Sequence, residues 1–525
     1  MSSLAASDPT GASSPSPQAP LGPRARRLRG PACAVGLVVA LLLARAPSLS
    51  EPLNEDITLY SLVANEVLHG RALYTEVFEA KGPFLYACYA AAIALAGCTP
   101  LAPYLLSCVF GTICLAGAYA VGGALRGDRT AGWLAAGLWV VVGGDGWLQG
   151  ETPNAELFVN ACTLGGWALL LKADVASSRR LRWALAAGFL LAAGSAFKQN
   201  AAFLAASLAA GWIVGAERGR PRREAVASAL CVALSGLGLW LVLALVFLAS
   251  GRLGDLWTAT VAYPRFHVGQ SMLDNLVSGL PRLFPAWTLR SLGLLLLAIL
   301  LGLPGWKRER RLLATFVALA LGTLLTHLTP GKLFPHYWQH WLPLFVVGAA
   351  WSATHPRVRR VAPLLLLVLS ALPQLDWYLR DGEWRSRAKF GSLYSEAPRA
   401  GRELDALLAP KEQVYVWPEL TGPTFYSGRR PPSGILWRRF ALVGPGHQAR
   451  QRLLLRDLER SRPELVLFLR EDARFSGDDP VTRWLAAHYE PPPRPLSFGR
   501  GRYVGWVRRA GALHRRLLGP GSRAR

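Results

Sequence analysis

Apolar blocks of membrane-spanning length recur along this chain from about residue 31 to residue 376, separated by short loops. A helix that crosses the hydrocarbon core of a bilayer needs about 20 mostly apolar residues. The composition agrees with this pattern, since 52% of the residues are hydrophobic and only 17% are charged. The sequence therefore predicts an α-helical polytopic membrane protein.

The chain is strongly basic, with a formal net charge of +25. In a soluble protein this excess would suggest a nucleic-acid partner, but the sequence contains no nucleic-acid-binding module and no interleaving of basic and aromatic residues. The basic residues instead lie in short loops between apolar blocks, where they orient a chain in the membrane. We therefore predict the lipid bilayer as a partner and exclude nucleic acid.

The N-terminal residues 1–30 are rich in Ser, Pro and Ala and end in a group of arginines. Such a composition is typical of a disordered segment. No convincing small-residue cleavage site follows the apolar run that starts at Pro31, so a signal peptide is not favoured. We predict a disordered, basic, cytoplasmic N-terminus and a membrane domain over residues 31–376.

Five later basic clusters decide the position of the apolar run 84–98. The positive-inside rule favours all five clusters in the cytoplasm, and this is possible only if the run 84–98 lies along the outer surface instead of crossing. At about 15 residues the run is also short for a span. We therefore predict a juxtamembrane helix here. About eleven spans remain, near residues 31–48, 101–125, 131–147, 155–172, 182–197, 200–216, 225–250, 288–305, 311–327, 338–354 and 361–376.

This topology collects acidic residues on the outer face. The first outer loop, residues 49–100, holds six acids and two bases, and the next outer segment, "GDGWLQGETPNAELF", holds three acids and no base. One interpretation is that outer loops simply lack basic residues. The other is a functional site, because a carboxylate such as Glu156 at the mouth of a span is costly unless it is solvated or paired.

The first outer loop carries a family resemblance. The stretch "NEDITLYSLVANEVLHGRALYTEVFEAKGPFLY" resembles the first outer loop of the GT-C glycosyltransferases, in the bacterial branch related to protein O-mannosyltransferases and the lipid A aminoarabinose transferase. "NAELF", "FKQNA" and "FPHYWQHWLPL" resemble later motifs of that branch, so the resemblance covers about residues 50–350. Two departures are the shift of the acidic pair to Glu55–Asp56 and Thr75–Glu76 in place of a common Arg-Asp.

The resemblance implies a GT-C membrane domain whose first outer loop contains juxtamembrane helices. It also implies transfer of a sugar from a polyprenyl-phosphate donor to a hydroxyl of a cell-envelope lipid, polysaccharide or protein at the outer, periplasmic face of the inner membrane. A carboxylate must then accept the proton of the hydroxyl. Asp56 is the candidate base, and Glu55 is its rival because the alignment is open by one residue.

The resemblance suggests further site residues. Positive charge is needed where negative charge develops on the leaving phosphate. The candidate donor-phosphate ligands are Lys81, Arg265 and Lys198. The candidates for positioning substrate or a divalent cation are Glu79, Glu76, Asn154, Glu156, His336 and Tyr337. A need for metal stays open, and the seven cysteines have no metal-binding spacing and are expected to pack among apolar residues.

Two of these candidates have simpler interpretations. Lys81 lies at a helix end, where a lysine commonly extends its ammonium group to the membrane surface. Glu156 lies at a helix start, where the helix dipole favours an acid. Neither alternative is excluded by the sequence.

The composition changes beyond the last predicted span. Residues 377–525 contain most of the later charges and no spanning run, and they predict a small soluble α/β domain on the periplasmic side. "QVYVW" and "ELVLFL" are predicted as buried strands, with helices at 398–409, 447–460 and 480–488. No catalytic constellation is apparent in this domain.

Two other functions use related substrates. A transporter or flippase of a lipid-linked sugar would be expected to show internal repeats and charged residues at mid-membrane. An O-antigen polymerase or ligase would carry its main basic site in a large late outer loop. Here the distinctive pattern lies in the first outer loop, which favours the glycosyltransferase.

Overall fold

The structure is a computed structural model that describes residues 23–175, 177–216, 222–269, 271–306, 309–417, 419–475 and 477–518. Residues 1–22 of the N-terminal segment that the sequence predicts to be disordered lie outside the described residues. The first helix begins at Pro23.

Helices dominate the membrane part of the chain. They are α1 (Pro23–Arg45), α2 (Glu55–Leu68), α3 (Pro83–Ala96), α4 (Leu101–Arg126), α5 (Arg129–Val142), α6 (Ala155–Val175), α7 (Arg180–Phe197), α8 (Ala202–Val214), α9 (Arg222–Ala249), α10 (Leu253–Trp257), α11 (Tyr263–Val268), α12 (Met272–Gly279), α13 (Ala286–Trp306), α14 (Arg310–Leu328), α15 (Leu342–Ala353) and α16 (Ala362–Leu379).

Each of the eleven segments predicted to span contains one of these helices. Within the described residues, six helices are long and apolar enough to cross a membrane: residues 30–50, 101–126, 222–249, 286–306, 310–328 and 362–379. The remaining segments contain shorter or more polar helices, so the count of eleven crossings stays a prediction. The run 84–98 corresponds to α3, whose 14 residues are too few to cross.

Helix α2 brings the acidic pair to a helix start. Asn54 caps the helix, because its side-chain oxygen accepts a hydrogen bond of 3.1 Å from the amide of Ile57. Glu55 and Asp56 therefore occupy the first turn, where the helix dipole favours negative charge. The apolar side of α2, including Tyr60 and Val63, is buried and packs against α3.

Gly82 allows the first outer loop to touch the turn between α7 and α8. Its amide donates to the carbonyl of Phe197 at 3.2 Å. A Cβ at this position would lie 1.9 Å from the carbonyl oxygen of Ala196, so only glycine fits. This contact brings Lys81, the preceding residue, to the side of the loop that faces Lys198.

The C-terminal part is the α/β unit that its sequence predicts. Its helices are α17 (Gly382–Phe390), α18 (Ala397–Leu407), α19 (Gly422–Tyr426), α20 (Arg438–Leu442), α21 (His447–Ser461), α22 (Pro480–His488) and α23 (Ala512–Leu518). Its strands are β1 (Val414–Trp417), β2 (Leu465–Leu469), β3 (Tyr489–Glu490), β4 (Leu496–Phe498) and β5 (Tyr503–Arg508). The sheet order is β1-β2-β5-β3, with β4 also paired to β5; β1 and β2 are parallel and β5 is antiparallel to its neighbours.

The sheet has two differently covered faces. Val414, Val416 and Leu465 contribute to a small separate core with α18. Tyr415 and Trp417 belong instead to the large core that includes the membrane helices. The C-terminal part is therefore packed onto the membrane part through a continuous apolar core.

A short backbone pairing adds to this contact. Val77 in the first outer loop forms a parallel bridge with Gly434, and the amide of Phe78 donates to the carbonyl of Gly434 at 3.2 Å. A Cβ on Gly434 would lie 2.1 Å from the carbonyl oxygen of Glu76. The first outer loop is thus held between the α7–α8 turn on one side and the C-terminal part on the other.

Candidate active site

Asp56 is a partly accessible carboxylate at the start of α2. Its side chain is 31% exposed, and its Oδ2 lies 3.9 Å from Nε2 of His336. His336 lies in a 3-10 helix, residues Pro335–Trp341, directly before α15. Two residues that are 280 positions apart in sequence therefore meet at one site, and both were predicted to belong to it.

Glu55 points away from Asp56. Its Oε1 accepts hydrogen bonds from Oγ1 of Thr421 and from the indole nitrogen of Trp437, both at 2.8 Å, and the amide of Thr421 donates to Oε1 at 2.9 Å. Burial raises the pKa of Glu55 to about 7, although these donors oppose the shift. The two acids diverge because successive residues on an α-helix are turned by about 100°.

Lys81 lies beside Tyr60 at the edge of the site. Its ammonium nitrogen is 3.9 Å from Oε1 of Glu79 and 5.8 Å from the centre of the Tyr60 ring. Burial lowers the pKa of Lys81, but the carboxylates of Glu79, Asp56 and Glu156 outweigh it and raise the pKa. Lys81 is therefore a cation at neutral pH, with 28% of its side chain exposed.

Glu79 holds the backbone of Lys81 in position. Its Oε2 accepts a hydrogen bond of 2.9 Å from the amide of Lys81 and a further one from the hydroxyl of Tyr86. Tyr74 completes this turn, since its hydroxyl donates to the carbonyl of Lys81 at 2.7 Å. Glu79 is buried and acts on Lys81 at both its backbone and its ammonium group.

Glu156 and Lys198 form a buried ion pair. Glu156 comes from the first turn of α6, and Lys198 from the turn between α7 and α8. Oε1 of Glu156 also lies 4.0 Å from Nε2 of His336 and 3.9 Å from Nε2 of His340. The ring of Tyr337 covers the ammonium group of Lys198 at 3.8 Å. The charge of Lys198 is therefore balanced within the protein by the carboxylate of Glu156.

His336 links the two acidic groups. Burial lowers its pKa, and the carboxylates of Glu156 and Asp56 only partly offset this, so the ring is neutral near pH 7. Its Nδ1 lies 3.3 Å from Oε1 of Gln149, and its Nε2 faces both carboxylates. Gln149 is a site neighbour that sequence reasoning missed, since nothing in its surroundings distinguishes it from other residues of the acidic segment.

The remaining predicted residues lie at or outside the margin of this cluster. Asn154 is buried at the start of α6, and its amide nitrogen donates to Oγ1 of Thr152 at 3.1 Å. Glu76 is exposed and accepts a hydrogen bond from the amide of Ala72 at 2.9 Å. Arg265 is exposed on α11. The structure thus brings together Asp56, Glu79, Lys81, Glu156, Lys198, His336 and Tyr337, and leaves Glu76 and Arg265 apart.

Metal ligation was left open by the sequence. Within the described ranges, no group of three or more His, Cys, Asp or Glu side chains is arranged to hold a metal ion. The cluster around Asp56 offers a partly accessible carboxylate, the partly accessible ammonium group of Lys81, and the neutral imidazole of His336 within 4.0 Å of the buried Glu156.

Comparison with known proteins identifies the fold. No protein-family model and no curated protein matches the chain. The structure of ArnT from Cupriavidus metallidurans bound to undecaprenyl phosphate matches with a TM-score of 0.59 at 13% identity, over 94% of this chain and 99% of that chain. Apo ArnT from the same organism gives 0.58 at 15% identity, over 94% and 100%. The archaeal oligosaccharyltransferase AglB from Archaeoglobus fulgidus, in complex with an inhibitory peptide and a dolichol-phosphate, gives 0.51 at 11% identity, over 92% and 74%. The chain therefore has the fold of these ArnT and AglB structures, as the resemblance in the first outer loop predicts.

Proposed function

We propose that this protein transfers a sugar from a polyprenyl-phosphate donor to a hydroxyl group of a cell-envelope acceptor at the outer face of the inner membrane. The observation that carries this proposal is the cluster itself. An accessible carboxylate, Asp56, and an accessible cation, Lys81, share one site. Two solved structures with a similar fold contain a bound polyprenyl phosphate. The two charges match the two demands of the reaction.

The reaction assigns one role to each accessible charge. The acceptor oxygen attacks the anomeric carbon of the sugar, and the bond from that carbon to the phosphate oxygen breaks. The acceptor proton passes to Asp56, and polyprenyl phosphate leaves with one additional negative charge. Lys81 binds the phosphate and stabilises this charge as it develops.

The surrounding residues position these two groups. Glu79 binds the backbone of Lys81, and the neutral imidazole of His336 lies between Asp56 and Glu156. Lys198 was predicted to bind the donor phosphate, but its pairing with Glu156 supports a structural role in holding α6 against the α7–α8 turn. Arg265 and Glu76 have no contact with the cluster that supports a role in the transfer step.

The proposal is tested in a strain that lacks the gene. Its membrane lipids and envelope glycans are profiled by mass spectrometry, with the wild-type gene and the Asp56→Asn gene as complementing copies. We expect one envelope component to lose a single sugar, and only the wild-type copy to restore it. An unchanged envelope, or full restoration by Asp56→Asn, would contradict the proposal.

The proposed phosphate contact leads to a separate prediction. Lys81→Ala is expected to weaken binding of undecaprenyl phosphate to the purified protein by about tenfold or more, since a charge-assisted contact is worth roughly 1.5–3 kcal/mol. Lys81→Arg is expected to recover part of the affinity because it keeps the charge. Titration of the protein with labelled undecaprenyl phosphate measures both. Wild-type affinity in Lys81→Ala would contradict the phosphate contact. Lys81 would then be a lysine at a helix end that extends its ammonium group to the membrane surface.

A further inference from the structure

The side chain of the acidic residue next to the proposed base directs every one of its described hydrogen bonds into the C-terminal part of the chain. Glu55 is buried, and its three donor groups are the amide and hydroxyl of Thr421 and the indole nitrogen of Trp437. The amide of Thr421 is also 3.0 Å from Oε2. These distances of 2.8–3.0 Å are those of well-formed hydrogen bonds to a carboxyl group.

Further bonds join the same two segments on either side of Glu55. The amide of Leu53, just before the helix, donates a hydrogen bond to the hydroxyl of Tyr426 at 2.8 Å. Oγ1 of Thr58, in the next turn, lies 2.7 Å from Oγ1 of Thr421. The start of α2 is therefore fixed to residues of the segment 421–437 at three nearby positions, Leu53, Glu55 and Thr58.

Fixing this turn fixes the direction of Asp56. Its Cα belongs to the same helical turn as that of Glu55, so any rotation of the turn about the helix axis swings the Asp56 carboxylate with respect to His336. A displacement of about 1 Å at a reacting group is enough to cost on the order of a hundredfold in rate. The hydrogen bonds at Glu55 oppose this rotation from a different side of the helix.

We propose that Glu55 is a positioning residue through which the C-terminal part of the chain sets the orientation of the base Asp56. This inference rests on the proposed function, because it takes Asp56 as the group that accepts the acceptor proton. It assigns to the C-terminal part a role in the transfer step, and it separates two neighbouring acids that sequence alone leaves interchangeable.

A positioning role requires Glu55 only to accept hydrogen bonds. A role as the base would instead require its negative charge, because the base takes up a proton. Glutamine keeps a carbonyl oxygen that accepts the bonds from Thr421 and Trp437, whereas alanine does not. We therefore expect Glu55→Gln to keep kcat within about tenfold of wild type and Glu55→Ala to lower it by about a hundredfold. KM for the donor is expected to change by less than about threefold in both, because a base acts in the transition state and not in donor binding.

Substitutions of the two hydrogen-bond partners of Glu55, Thr421 and Trp437, test the proposal independently. Trp437→Phe removes the indole donor but keeps an aromatic ring against Phe440, whose centre lies 5.4 Å away. Thr421→Val removes the hydroxyl donor and keeps the shape. Each is expected to lower kcat by about three- to tenfold, and to add little on top of Glu55→Ala, since residues that act through one contact are not additive. Arg430→Lys is the matched control, because it weakens the bidentate contact with Glu66 at the far end of α2 and leaves Glu55 untouched.

The assay uses the purified full-length protein, a panel of radiolabelled undecaprenyl-phosphate monosaccharides, and membranes of the deletion strain as acceptor. Low kcat in Glu55→Ala, with kcat near wild type in Glu55→Gln and Arg430→Lys, is the expected result. If Asp56→Asn is inactive but Glu55→Ala has wild-type kcat, the positioning role is wrong and the proposed function stands. Glu55→Gln as inactive as Asp56→Asn, or Arg430→Lys as slow as Glu55→Ala, also overturns it. Normal transfer by Asp56→Asn overturns the role of Asp56 as the base, and this inference with it.

Discussion

Asp56→Asn is expected to lower the rate of sugar transfer by about a hundred- to ten-thousandfold, the usual contribution of a positioned general base. Asparagine has nearly the size of aspartate and keeps hydrogen-bonding capacity, but it cannot accept the proton of the attacking hydroxyl. The side chain of Asp56 is 31% exposed, and its Oδ2 lies 3.9 Å from Nε2 of the neutral His336 ring. Among the described residues, the substitution is therefore expected to leave no buried charge unpaired. The measurement is transfer of labelled sugar from the donor by equal amounts of each purified variant.

Two controls separate loss of the base from loss of the fold. The thermal unfolding midpoint of Asp56→Asn and its affinity for undecaprenyl phosphate are both expected to equal those of wild type, because Lys81 is retained. Glu55→Gln serves as the neighbouring-acid control and is expected to keep much of the activity. Near-normal transfer by Asp56→Asn beside an inactive Glu55→Gln would move the base to Glu55.

The second large effect is expected on stability and concerns the buried pair of Glu156 and Lys198. Removing one partner of a buried ion pair leaves an uncompensated charge and costs about 3–5 kcal/mol. Lys198→Met leaves Glu156 beside two histidines, and Glu156→Gln leaves Lys198 beside the ring of Tyr337. Each single variant is therefore expected to unfold at a clearly lower temperature in detergent, as followed by tryptophan fluorescence.

The double variant Glu156→Gln/Lys198→Met tests the reason for this loss. It removes both charges together, and we expect it to be more stable than either single variant, since an apolar or neutral replacement of a whole buried pair is often nearly neutral. Additive losses in the double variant would mean that the two side chains stabilise the fold through separate contacts. In that case Lys198 would again be a candidate ligand of the donor phosphate.

Much of the fold followed from the sequence because the bilayer imposes simple rules. Length and apolarity predict membrane helices, and the basic loops predict that the short run 84–98 does not cross; this run forms helix α3, which has 14 residues. Strands β1 and β2 of the C-terminal sheet were predicted from short buried apolar runs, whereas β3, β4 and β5 were not predicted. Asp56 and His336, which the predicted topology places on one side of the membrane, lie 3.9 Å apart in the structure.

Side-chain direction could not be predicted in the same way. Glu55 and Asp56 are chemically alike and adjacent, and only the three-dimensional position of Thr421, 366 residues later, shows which one is engaged elsewhere. Glu156 and Lys198 each matched a plausible substrate contact, yet they neutralise one another. Such pairings depend on how helices that are distant in sequence pack together, and the periodicity of the sequence does not predict them.

The backbone bridge between Val77 and Gly434 bears on how this protein can be recombined. A boundary drawn at residue 377 by composition would suggest a detachable module, but the bridge lies four residues before Lys81 and has no room for a side chain at Gly434. A hybrid that takes its C-terminal part from another member of the fold would need the matching 76–78 segment and a glycine in register. The membrane part and the C-terminal part can therefore be exchanged or expressed separately only if the contact made by residues 76–78 is preserved.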